Sequence, residues 1–366
     1  MFIDRLLLKT FRNYVNEAIS FFPGINVISG ANGSGKTNIL EAIYIASHIK
    51  SFRNCTDKDI IQWGKQDYYI SVHVENADIS TIEVGASVTN QQSEKKVKID
   101  GKEKKKISDF YGRINVVTFF PDDTTIISGA PDIIRRYFDR LISKVDKEYI
   151  ELLTSFRKIL KNRNQVLKDI PHKRDIIKQL DIWDSMYSDC ASALVMKRKH
   201  YIEHFNIYFK ELYKELSGFN DNVIIHYCPS LHNNDAVDIK HEVSKRRNID
   251  VKMGTTTIGP HRDVYVVNGN ENIAFKSYAS TGQRRLASIA MKLAEVNVIY
   301  EVKKSKSIVL LDDVLSELDD DRRKSVLQKL IDGSHQVIIT CASSNDVNFV
   351  DNYKHLKVVN NRVLEK

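Results

Sequence analysis

One octapeptide restricts this chain more than any other feature: Gly30-Ala31-Asn32-Gly33-Ser34-Gly35-Lys36-Thr37 fits the pattern G-x-x-x-x-G-K-[ST]. The apolar run 25–29 before it reads as a strand, and 39–49 after it reads as a helix. Strand, glycine-rich loop and helix together form a cradle for a polyphosphate. The glycines let the backbone curl until successive N–H groups face phosphate oxygens, and the helix start adds partial positive charge. Lys36 then reaches the β- and γ-phosphates and acts as a catalytic group, and the Thr37 hydroxyl ligates Mg²⁺. Gly30, Ala31, Asn32, Gly33, Ser34, Gly35, Lys36, Thr37 and Asn38 are therefore the candidate nucleotide contacts.

Ser307-Ile308-Val309-Leu310-Leu311-Asp312-Asp313 is an apolar run ended by two carboxylates, the profile of a buried parallel strand that delivers acids at its C-terminal end. Asp312 is the candidate Mg²⁺ ligand, directly or through water, and Asp313 the candidate catalytic group that orients or deprotonates an attacking water. Earlier, Ser280-Thr281-Gly282-Gln283 precedes the helical run 286–296, so a serine and a glycine stand at a helix N-terminus. That arrangement binds anions, and it also serves as a plain helix cap. The order of parts, with phosphate loop first and acid-ended strand last, favours the anion.

The rest of the chain sets the frame. Its 366 residues, 42% hydrophobic, suffice for a large core, as two modest domains or as one domain with a big insertion. Residues 2–8, 19–22, 25–29, 68–74, 79–88 and 96–99 read as strands, with a hairpin turn at Asp100-Gly101. The lysines between Lys95 and Lys106 fit an exposed sheet edge open to phosphate contact. From Pro131, apolar residues between Ile134 and Leu160 recur every three or four positions as one long amphipathic helix. Pro171 interrupts the series, and a second runs from Ile177 to Leu216, stopped by Ser217-Gly218. Two such helices pack antiparallel as an arm. Strand signals return at 223–227, 264–267, 308–311 and 337–340. The expected class is α/β, a phosphate-loop fold with mixed sheets around a central helix and an inserted α-helical lobe. Residues 1–120 and 300–366 form its nucleotide-binding lobe, and residues 121–299 its helical lobe with the arm. Cys55, Cys190, Cys228 and Cys341 stand too far apart in sequence for a close metal or redox pair. Lys plus Arg exceed Asp plus Glu by 55 to 47, and the resulting charge of +8 favours a polyanionic partner. With no long uncharged apolar stretch and no signal-peptide layout at Met1-Phe2-Ile3-Asp4-Arg5, the chain is expected in the cytoplasm, without a membrane partner.

The order of phosphate loop, Ser-x-Gly-Gln and acid-ended strand resembles that of ABC ATPases. Leu315-Ser316-Glu317-Leu318-Asp319 is similar to their D-loop. Transporter subunits fit badly, because the helical insert spreads Lys36 and Gly282 far apart, and chromosome-maintenance proteins need coiled coils for which the chain has no room. The RecF family fits from end to end. The resemblance rests on Phe11-Arg12-Asn13-Tyr14, the phosphate loop through Glu41, Ser51-Phe52-Arg53, Phe120-Pro121-Asp122-Asp123, Arg135-Arg136-Tyr137-Phe138-Asp139, residues 254–263 and Ala279-Ser280-Thr281-Gly282-Gln283. It implies an ABC-ATPase head that binds ATP with Mg²⁺ and closes as an ATP-dependent homodimer. In that dimer Ser280, Gly282 and Gln283 reach the γ-phosphate of ATP held by the second subunit, and Arg12 lies near nucleotide. It further implies binding to single- and double-stranded DNA at gaps or junctions, and work with RecR and RecO in loading RecA. Asp313 stands where transporters use Glu, and Thr340 takes the place of their switch histidine; both departures suggest slow hydrolysis, and the resemblance implies a weak, DNA-stimulated ATPase used as a switch. The rival reading is an ATP-driven nuclease of the overcoming-lysogenization-defect group, which needs a separate acidic metal-binding domain.

Overall fold

The computed structural model describes residues 1–53, 55–89, 92–169, 177–219, 221–231, 235–270, 273–342, 350 and 352–365. Along the chain run β1 (Phe2–Phe11), β2 (Tyr14–Ser20), β3 (Ile25–Ser29), α1 (Lys36–His48), β4 (Asp67–Glu75), β5 (Thr81–Thr89), β6 (Gln92–Ile99), β7 (Lys102–Glu103) and β8 (Val116–Phe119). There follow α2 (Pro131–Val145), α3 (Lys147–Asp169), α4 (Ile177–Ser217), β9 (Ile224–Cys228), α5 (Ala236–Met253), β10 (Val264–Asn268) and α6 (Thr281–Lys303). The chain ends with β11 (Ile308–Asp312), α7 (Asp320–Asp332), β12 (Gln336–Cys341), β13 (Tyr353–Val359) and β14 (Arg362–Glu365), short helical turns lying between some elements. These elements form two compact units, residues 1–123 with 295–366, and residues 124–294.

The first unit has two six-stranded sheets. One, in the order β2-β1-β4-β5-β6-β7, is antiparallel throughout; the other runs β14-β13-β3-β12-β11-β8. In the second sheet β13, β3, β12, β11 and β8 are parallel, and only β14 is antiparallel. Parallel strands are covered on both faces, which is why β3 and β12 are buried at every position. Helix α1 is buried without a break from Ile39 to Ser47 and shares one apolar core with residues of both sheets, among them Leu6, Val72, Ile28, Leu310 and Ile338. An amphipathic stripe would leave such a helix half wet; this one is buried on all sides, mostly by apolar residues, with Glu41 the buried charge among them. At the sheet edge, Asp100 (φ 49°) and Gly101 (φ 74°) make the left-handed turn joining β6 to β7.

In the second unit the single long helix expected from Pro131 to Leu160 is two. The chain turns extended at Asp146 (φ −127°, ψ 106°), whose carboxylate accepts a hydrogen bond from Tyr149 N at 3.0 Å and so starts α3 afresh. An aspartate in a helical apolar pattern carries no apolar penalty, so periodicity runs straight through the break. Helices α3 and α4 pack antiparallel: Tyr149 meets Arg198, Phe156 meets Tyr187, and Arg163 meets Asp184. The link around Pro171 lies outside the described residues. Helix α5 has no counterpart in the sequence expectations, since it buries little beyond Ile239, Val243 and Asp250.

Two buried arginines hold this unit. Arg163 bonds Asp184 and Asp250 at 2.8 Å each and Thr256 at 2.7 Å. Arg198 bonds Asp139 and Asp263 at 2.8 Å each and the Pro260 carbonyl at 2.7 Å. Residues 254–263 are thus clamped between two cations. His261 within them is half-buried, its titration pushed down to about 4 chiefly by that burial, and its Nε2 donates to the Thr256 carbonyl at 3.0 Å. It is a neutral structural residue. Replacing Arg163 with Leu leaves Asp250 buried without its counter-charge, at a cost of about 3–5 kcal/mol. For a unit of this size that corresponds to a loss of roughly 6–20 °C in melting temperature. A thermal scan within 2 °C of the parent would show that the arginine contributes little.

Candidate nucleotide-binding site

Register builds the site. The pairing Asp312↔Thr340↔Ile28 aligns the C-terminal ends of β11, β12 and β3, and the phosphate loop leaves β3 at that edge. Thr37 Oγ1 donates to Asp312 Oδ1 at 2.9 Å, and Thr340 Oγ1 donates to the same oxygen at 2.7 Å. The Asp313 N–H donates to Thr340 Oγ1 at 3.2 Å, so one threonine holds the Asp312 carboxylate and the Asp313 backbone. Asp313 itself has φ 54°, a left-handed conformation unusual for aspartate, and its side chain is exposed at the strand end. These groups line a cavity of about 300 Å³ together with Asn32, Gly33, Gly35, Lys36, Asn38, Arg53 and Ala342, all in the first unit.

The loop has the form a polyphosphate requires. Gly35 has φ 109°, and a Cβ there would stand 2.4 Å from Asn13 Nδ2, so only glycine fits. No side chain caps α1, which leaves its first N–H groups directed at the loop, and the buried Ser34 hydroxyl has no hydrogen-bond partner. Lys36 Nζ folds back to the carbonyls of Gly30 at 2.7 Å and Ala31 at 3.1 Å. Uncapped amides at the start of α1 and a lysine cation meet at one hollow, which suits an anion with several oxygens. Thr37 and Asp312 offer a divalent cation only two oxygen donors, a set that Mg²⁺ accepts when phosphates and water complete its shell.

Some expected residues lie elsewhere. Arg12 does not line the cavity: its Nε and Nη2 grip Glu41 at 2.9 and 2.6 Å, and its Nη1 donates to the Asp59 carbonyl at 2.6 Å. Glu41 is wholly buried on α1 and also accepts from Ser51 Oγ at 2.5 Å and Arg53 at 3.1 Å. A buried carboxylate draws in cations, and this one takes the first motif's arginine. The neighbours of Arg12 reach the loop instead. Asn13 Nδ2 donates to the Ser34 carbonyl at 3.1 Å, and the Tyr14 hydroxyl donates to that of Gly35 at 3.1 Å. Burial pushes the Tyr14 phenol far above its usual titration range, so it stays a donor. Arg53, whose Nη1 donates to Asn38 at 2.9 Å, is a cavity residue that no nucleotide motif marks.

Ser280, Gly282 and Gln283 belong to the second unit, at the start of α6. Ser280 Oγ accepts from Gln283 N at 3.2 Å and Gln283 Oε1 accepts from Ser280 N at 2.9 Å, a reciprocal cap. Ser280, Thr281 and Gly282 are exposed. Asp319 caps α7 by accepting from Arg322 N at 2.9 Å.

The family description for the RecF/RecN/SMC N-terminal domain matches residues 2–365. A DNA replication and repair protein RecF from Clostridium botulinum (strain Eklund 17B / Type B) is 35% identical over 374 residues, covering 100% of both chains. The chain belongs to the RecF family. A second RecF, from Clostridium perfringens (strain 13 / Type A), is 34% identical over 99% of each chain. The solved RecF-ATP structure of the RecFOR pathway superposes with a TM-score of 0.91 at 29% identity, covering 100% of this chain and 97% of that one. A Pyrococcus furiosus Smc head, 17% identical with a TM-score of 0.58 over 100% of this chain and 96% of that one, shares the fold alone. This RecF-family chain therefore has the ABC-ATPase fold. Among its described residues no helix is long and apolar enough to cross a membrane.

Proposed function

We propose that this RecF-family chain is an ATP-gated DNA-binding switch of recombinational repair. The carrying observation is the convergence of uncapped α1 amides, Lys36 and the Thr37–Asp312 pair on one cavity. ATP enters with its β- and γ-phosphates on the loop, and Lys36 exchanges the Gly30 and Ala31 carbonyls for phosphate oxygens. Thr37 and Asp312 would hold Mg²⁺, which would supply positive charge against the phosphates. Asp313 orients the attacking water, and Thr340 fixes the Asp312 carboxylate and the Asp313 backbone. A short aspartate in place of a longer glutamate reaches that water poorly, which supports slow turnover and a timing role for hydrolysis.

The exposed start of α6 supplies the second half of the site. Ser280, Gly282 and Gln283 of one copy approach the γ-phosphate held by another, so that ATP joins two chains into a dimer. Only a triphosphate reaches both. The names of its relatives, with the RecFOR pathway of the solved RecF, support a repair role beside RecO and RecR. In this proposal the closed dimer binds gapped or junction DNA and helps to load RecA. Mass measurement of the purified chain without nucleotide, with ADP and with a non-hydrolysable ATP analogue tests the gating. A dimer is expected with the analogue alone; equal masses in all three conditions would end this reading.

A further inference from the structure

The second unit has a charge arrangement that nucleotide chemistry does not use. On α3, Thr154, Lys158, Lys161, Gln165 and Lys168 recur at alternating spacings of four and three, which sets them in one line along the helix. All five are exposed, and at 1.5 Å per residue the line is about 21 Å long. It contains no acid. Asp169, beside its end, is occupied by Gln165 at 3.1 Å, and the three lysines pair with no described residue. The opposite face buries Leu153, Phe156, Ile159 and Arg163.

Helix α5 repeats the pattern. His241, Lys245, Asn248 and Lys252 form a second exposed line, and Asp238 is the one exposed acid of that helix. Arg163 on α3 reaches Asp250 on α5, and Lys168 Cγ lies 3.5 Å from where a Cβ on Gly254 would sit. The two helices therefore run side by side in the same direction, and their cationic rows end together at Lys168 and Lys252.

Like charges three or four positions apart destabilise a helix by a few tenths of a kcal/mol per pair, and exposed helices usually intersperse signs. Elsewhere this chain does so. On β6, Lys95 pairs with Asp57 at 2.6 Å and Lys96 with Glu94 at 3.1 Å; on α2, Arg136 pairs with Asp132 at 2.6 Å. Lys158 and Lys161, three positions apart on α3, keep an unrelieved repulsion that a regularly spaced polyanion would remove. We infer that these two rows are the chain's contact for the sugar-phosphate backbone of duplex DNA. The lysines donate to phosphate oxygens, contacts that carry no sequence information, so the contact is independent of sequence. The inference rests on the DNA-binding reading above and gives it an address.

The test is titration of a fluorescent duplex with the full chain and an ATP analogue between 50 and 200 mM salt. The Lys158→Gln, Lys161→Gln, Lys168→Gln triple variant should reduce the slope of log affinity against log salt by about 2.7, near 0.9 for each phosphate that is no longer neutralised. Affinity at 0.1 M salt should fall at least ~30-fold, while ATP affinity is unchanged. Glutamine matches lysine in helix propensity, and removal of repulsion should hold or raise the melting temperature at low salt. Should the triple variant melt early, Lys245→Gln with Lys252→Gln on α5 reads the same surface, with an expected slope change of about 1.8. A wild-type chain that binds with steep salt dependence and variants that match it would overturn the inference and leave the DNA reading standing. A wild-type chain that ignores the duplex at every salt concentration would overturn both.

Discussion

Lys36→Ala should lower ATP affinity at least ~100-fold, about 2.7 kcal/mol. The magnitude follows from what the ammonium does. It is the side-chain cation directed at the phosphate loop, and removing one partner of a charge-assisted contact leaves the phosphate unpaired in a partly enclosed cavity. The same group ties the loop together through the Gly30 and Ala31 carbonyls, at 2.7 and 3.1 Å. Alanine therefore removes a charge and a tether at once, and Lys36→Gln separates them. A glutamine amide still donates to carbonyls but brings no charge, so its ATP affinity should fall nearly as far while its melting temperature without nucleotide stays with the parent. Isothermal titration of both variants decides the matter. A glutamine variant with parental affinity would mean that the lysine only shapes the loop.

The parts legible in the sequence are those in which chemistry constrains spacing. The octapeptide fixes the conformation of its own backbone, and the run 307–313 has a composition that only a buried strand ended by acids satisfies, so Thr37 and Asp312 can be paired across 275 positions and meet at 2.9 Å. Other parts depend on partners that no local pattern names. Arg12 belongs to a motif at the nucleotide edge, yet the deciding force is a buried carboxylate on α1, and Glu41 reads in sequence as an ordinary helical residue. Asn13 and Tyr14 stand beside it in the same motif, and their contact with the loop depends on how β1 turns into β2. The break at Asp146 is hidden because a capping aspartate and a solvent-facing helical aspartate look alike. Helix α5 is hidden because its outer face is charged and its inner face buries an aspartate, the reverse of the pattern that marks an amphipathic helix. That charge is the material of the second-unit rows: what obscures the helix in sequence gives it a surface to use.

Ser280→Arg should leave ATP binding intact and abolish ATP-driven dimerisation, with the dimer at least ~100-fold weaker by analytical ultracentrifugation. The cavity is lined by the first unit alone, whereas Ser280 belongs to the second, so one copy keeps its own nucleotide contacts. The start of α6 is small and open: Ser280, Thr281 and Gly282 are exposed, and a Cβ at Gly282 would find its nearest neighbour, Ser280 Oγ, at 3.9 Å. An arginine there places a long side chain across the amides that the other copy's γ-phosphate must approach. It also removes the oxygen that caps Gln283 N, which by itself costs about 1 kcal/mol. Ser280→Ala removes that cap without filling the space, and so measures the helix-end contribution alone; it should weaken the dimer by roughly tenfold or less, in line with the same cap energy. The difference between the two variants isolates the approach of the second copy. If Ser280→Arg forms dimers with the ATP analogue as readily as the parent, the helix tip does not meet the nucleotide of its twin, and the γ-phosphate must be sensed within a single chain.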